Sequence, residues 1–205
     1  MTKPQLPKYT FGWSPALIMF AGMMIGSLVA SIPALLALIG YKTDLRTSDF
    51  YMILLNVSGL IGAILAFDYW VCRPQTGKPL NFNMSTANLT TYLLIFPMMF
   101  GMMLITEVLT SHIPVTGPIF GKLHDSFNEM MKMMTKDTPT LLVMAVGFAP
   151  VLEEIIFRGI IMKGLINKGW NPWKAIALSS LIFGLIHGNP WQFLGAGCLG
   201  FVLGL

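Results

Sequence analysis

Long apolar runs joined by short charged connections govern what this chain can fold into. A bilayer core about 30 Å thick needs about 20 apolar residues of helix. Ala16–Leu38, Phe50–Val71, Thr91–Ile113 and Thr140–Ile166 each supply such a run. Trp173–Gly188 is shorter, and Trp191–Leu205 begins a sixth run that Leu205 leaves incomplete. Only 11% of the 205 residues are charged and 55% are hydrophobic, whereas soluble domains carry about 25% charged residues. The runs must be helical, because an open sheet leaves backbone groups unpaired in lipid. We therefore expect an all-α, polytopic bundle of about six spans, integral to the membrane and placed in the cell membrane.

The first run is too long for a signal-peptide core and lacks a cleavage site, so it reads as an anchor. The +4 net charge is spread through connections, which excludes a nucleic-acid tract and leaves lipid as the surrounding partner. Placing the amino terminus inside gives only a small excess of Lys and Arg on the inner segments. Cys72 and Cys198 make neither a disulfide framework nor a zinc pattern. Small residues at fourfold spacing, Gly22, Gly26 and Ala30, then Ala196, Gly200 and Gly204, predict close helix contacts. In "IFGKLHDSFNEMMKMMTK", residues 119–136, apolar Ile119, Leu123 and Phe127 share one helical face. Lys122, Asp125, Glu129 and Lys132 share the other, which predicts a helix lying in the membrane interface.

Within the fourth run, "APVLEEIIFRGIIMKG" carries Glu153, Glu154 and Arg158. A charge at mid-membrane costs about 2.5–3.5 kcal/mol on insertion scales, so such residues default to function. Glu154 and Arg158 are four apart and can pair on one α-helical face. Glu153 is turned about 100° away, which predicts one carboxylate held by the arginine and one available for chemistry. His187 adds to this. Glu153 precedes the turn "KGWNP" by as many residues as His187 follows it, about 21 Å of helix on each side, placing the two at similar depth. A carboxylate facing an imidazole can deprotonate water or share a metal ion. Asp68, Glu107, His112 and His124 lie near interfaces and read as structural or solvated.

"EEIIFR", Glu153–Arg158, and "FGLIH", Phe183–His187, resemble the E-E-x-x-x-R and F-x-x-x-H motifs of the CPBP intramembrane proteases, also called the Abi or CAAX-protease family. The glycine-rich "FLGAGCLGFVLGL" is similar to the helix that follows. The resemblance divides the chain into amino-terminal membrane helices, 1–139, and an incomplete protease-like core, 140–205. It implies an endopeptidase acting on peptide or protein substrates at the membrane, prenylated CAAX-type peptides among them. Glu153 would be the base that activates water and His187 its partner or a metal ligand. Glu154 and Arg158 would support them, and a divalent metal such as zinc is a candidate cofactor. The family places a further histidine, followed four residues on by Asn or Asp, in a later span. This sequence stops before one, so we expect a piece of a longer protein. The alternative is a non-catalytic immunity or scaffold protein. A third reading, proton or ion transport through the buried acids, rests on the same residues.

Overall fold

A computed structural model describes residues 8–42, 49–81, 88–134 and 147–205. The all-α expectation holds, with no strand among the described residues. The helices are α1 (Trp13–Tyr41), α2 (Asp49–Phe67), α3 (Arg73–Thr76), α4 (Leu89–Ser111), α5 (Phe120–Met134), α6 (Ala149–Glu154), α7 (Lys163–Asn167), α8 (Pro172–Leu185) and α9 (Pro190–Leu203). π-helical stretches join α2 to α3 at Asp68–Cys72 and α6 to α7 at Ile155–Met162. Two helical segments, Trp13–Tyr41 and Ile53–Thr76, are long and apolar enough to cross a membrane. Pro97–Ser111, Pro172–Leu185 and Pro190–Leu203 are apolar but shorter. Only 17% of the most apolar window of α1 is buried, and Leu17, Phe20, Leu28 and Ile39 face outward. A helix buried in a soluble core would hide such side chains, so this surface suits lipid.

The contacts divide the chain into two units, residues 1–81 with 134–170, and residues 82–133 with 171–205. In the first, α1 and α2 run antiparallel in backbone contact. A Cβ on Gly22 would overlap Gly62 and Ala66, and one on Gly26 would overlap Ser58. The small-residue spacing in the first run is therefore a helix-packing seam. The core of this unit gathers Ala63, Ala66 and Phe67 together with Ile156, Phe157 and Ile160, all buried. Asp68, predicted to be structural, is buried and accepts hydrogen bonds from Arg73 Nε at 2.8 Å and the Leu80 amide at 2.6 Å. It thereby ties the end of the α2–α3 rod to the turn after it.

An amino-terminal strap completes this unit. The Tyr9 hydroxyl donates to the Gly159 carbonyl, and the Phe11 amide to the Gly164 carbonyl at 3.1 Å. Asn167 donates back to the Tyr9 carbonyl at 3.0 Å. Gly164 permits the approach, since a Cβ there would sit 2.7 Å from that of Phe11. The Tyr9 ring meets Phe67 edge-on at 5.3 Å. Burial, and secondarily the nearby Cys72, push the Tyr9 phenol up to about 12.

In the second unit α8 and α9 form an antiparallel hairpin. A Cβ on Gly200 would lie 3.1 Å from Phe183, one on Gly204 2.9 Å from Ile176, and one on Gly184 2.7 Å from the Phe193 carbonyl. The second small-residue stripe is thus also a packing seam. Gly188 makes the turn in the left-handed region at φ +71. The Asn189 side chain then caps α9 through the Gln192 amide at 2.8 Å. The amphipathic segment forms α5 as the pattern predicts, with Lys122, Asp125 and Glu129 exposed. Phe127 stacks on Trp191 of α9 at 5.9 Å.

Candidate functional site

Pro150 lies at the second position of α6. From Ile155, immediately after Glu154, the helix winds from α into π geometry. The Lys163 amide reaches back five residues to the Arg158 carbonyl. Such bulges are rare and concentrate at functional sites. This one contains Arg158 and follows directly on Glu153 and Glu154. The apolar side of the stretch, Ile156, Phe157, Ile160 and Ile161, is buried and fixes the rotation of the helix. The polar side carries the charges.

Arg158 and Glu154 form the ion pair that the spacing predicts, Nη1 to Oε2 at 3.2 Å. The arginine side chain is only 10% exposed and the glutamate 47%, so the cation is the more covered partner. Beyond the ion pair with Glu154, the Glu153 charge adds a weaker attraction to Arg158. Glu153 also has an interaction of its own.

Glu153, Glu154 and Arg158 belong to the first unit and His187 to the second. His187 lies just past the end of α8, in the turn before α9. Its Nδ1 is 2.8 Å from the Phe183 carbonyl. A carbonyl only accepts, so Nδ1 carries a proton, and the tautomer this sets is the one with the lone pair on Nε2. The Phe183 ring meets the imidazole edge-on at 5.1 Å. The four-residue spacing from Phe to His thus supplies both a tautomer lock and a wall for one imidazole. Among the described residues no three His, Cys, Asp or Glu side chains group as a metal site requires.

The remaining acids and histidines separate by role. His112 is exposed, with Nδ1 2.7 Å from the Val108 carbonyl at the end of α4. Its role is structural. Glu107 and His124 instead line one cavity of about 420 Å³ with Thr110, Ser111, Trp191 and Gln192. Their positions near interfaces mark each, taken singly, as structural or solvated. They come from separate helices with no shared motif, so no local pattern could have joined them.

Residues 135–205 match the family model described as Rce1-like, Type II CAAX prenyl endopeptidase Rce1-like. The matched range contains Glu153, Glu154, Arg158 and His187. It bears out the resemblance seen in the two motifs. The family is one of membrane-embedded proteases. No curated protein and no solved structure matches the chain.

Proposed function

We propose, from the Rce1-like type II CAAX prenyl endopeptidase pattern carried by residues 135–205, that this protein is an intramembrane endopeptidase acting on prenylated, CAAX-type peptides. It would be a multi-pass protein of about six spans in the cell membrane. The observation that carries the reading is a carboxyl–arginine motif set at an α-to-π junction inside the family-matched segment. Glu153 takes a proton from water, and the water oxygen adds to the scissile carbonyl. His187, its tautomer set by the Phe183 carbonyl, offers Nε2 as a second proton acceptor and, once protonated, a donor to the leaving amine. Arg158 and Glu154 hold the helix face and its charge in place.

Removing such an acid–base group lowers turnover by about 10²–10⁴-fold. The full-length protein in liposomes, given a prenylated peptide with a reporter beyond the cleavage site, should lose turnover by that factor in Glu153→Gln. Peptide binding should remain. Cleavage by Glu153→Gln at the unmutated rate would remove Glu153 from the chemistry.

A further inference from the structure

The cavity shared by Glu107 and His124 lies wholly within the second unit and adjoins another of about 550 Å³. The two have Thr106 and Glu107 in common. Together they follow α4 from Met99 to Ser111, about 18 Å of helix. The ends differ in character. Met99, Met102, Met103 and Leu199 line the first end, which is apolar. At the other, Trp191 packs against His124 and Phe127 of the amphipathic helix. Such a helix lies at headgroup depth in a bilayer.

The polar end is divided between acceptors and donors. Glu107 is the one acid lining it, and no ion pair is formed by Glu107 among the described residues. The Thr110 hydroxyl donates to the Thr106 carbonyl at 2.9 Å and that of Ser111 to the Val108 carbonyl at 2.8 Å. With their protons so engaged, both oxygens offer lone pairs. Across from them, the Gln192 carbonyl oxygen accepts from Asn189, which leaves its amide N–H groups to donate. The Asn128 amide nitrogen lies 3.2 Å from His124 Nδ1 and 3.5 Å from Nε2, and in either tautomer the imidazole keeps one N–H. A carboxylate with two hydroxyl acceptors suits a primary ammonium, and an amide with an imidazole N–H suits a phosphodiester.

We propose that this groove binds an aminophospholipid of the surrounding bilayer. Its ammonium sits at Glu107, Thr110 and Ser111, its phosphate at His124 and Gln192, and one acyl chain lies along Met99–Leu199. The site is separate from the peptidase reading and stands without it. A quaternary ammonium has no N–H to donate, and an anionic glycerol head places no cation at Glu107. The site therefore favours the primary amine over both.

Native mass spectrometry of the full-length protein in detergent tests this with phosphatidylethanolamine, phosphatidylcholine and phosphatidylglycerol of identical chains. The ethanolamine lipid should bind about tenfold more tightly than the other two, as expected for a charge-assisted hydrogen-bond set. Glu107→Gln should abolish the preference, while Glu129→Gln, on the exposed face of α5, should leave it intact. Leu199→Trp, which fills the apolar end, should weaken all three lipids. Equal binding of the three lipids, or a preference that survives Glu107→Gln, would overturn the proposal. So would a lysine peptide that displaces the ethanolamine lipid at equal concentration.

Discussion

If burial makes the arginine the vulnerable partner, a double-mutant cycle on Glu154 and Arg158 will show it. At 3.2 Å and an effective dielectric of 20, the gross attraction is about 5 kcal/mol. Glu154 is almost half exposed, and solvent screens that attraction toward the range of surface pairs. The mostly covered arginine holds it above that range, so we expect a net coupling of about 1–2 kcal/mol. Glu153 also acts on Arg158, second to Glu154. Its cycle with Arg158 should therefore return a smaller coupling. The variants Glu154→Gln, Glu153→Gln and Arg158→Met, with both doubles, can be unfolded reversibly in mixed micelles by increasing the denaturing detergent. Helical circular dichroism reads the transition. Two findings would refute the reasoning. One is additivity within about 0.3–0.5 kcal/mol for Glu154 with Arg158, the level shown by sites that do not interact. The other is a larger coupling for Glu153 than for Glu154.

Two further expectations concern packing and the strap. Gly62→Ala should destabilise by about 1–3 kcal/mol, since the new Cβ meets the backbone of Gly22 and Gly26 in α1. Gly101→Ala, with open space around it, should be neutral or stabilise by up to about 1 kcal/mol. Thermal unfolding in detergent that gave both the same sign would contradict the seam. Tyr9 has a folded-state value of about 12, raised above its ordinary one. Its contribution to stability is therefore intact below pH 10 and lost as pH rises through 12. Stability measured across that window should fall more steeply for the unmutated protein than for Tyr9→Phe; parallel curves would remove the strap's pH dependence.

Local pattern made much of this protein legible. Apolar runs too long and too uncharged for a soluble core require helices, because lipid offers no partner for a free backbone amide. The fourfold spacing of Gly22 and Gly26 announced the α1–α2 seam, and that of Gly200 and Gly204 the α8–α9 seam. The spacing of Glu154 and Arg158 announced their ion pair. Each of these is a periodicity of one helix, readable without knowing what lies beside it. The division of the chain into two units was different. It assembles each unit from two separated stretches of sequence, an arrangement that no single run encodes.

The tertiary structure decided what depends on partners distant in sequence or on hydrogen-bond register. The winding changes from α to π immediately after Glu154, a hydrogen-bond register that the spacing of the charges does not announce. Tyr9 donates to Gly159 across most of the chain. Glu107, His124 and Trp191 share a cavity although none is predicted by the others' spacing. A helix's period is set by its own backbone and is written in the order of its residues. Which carbonyl accepts a phenol, and which three helices enclose a pocket, is set by packing, where residues far apart in the chain compete for the same space.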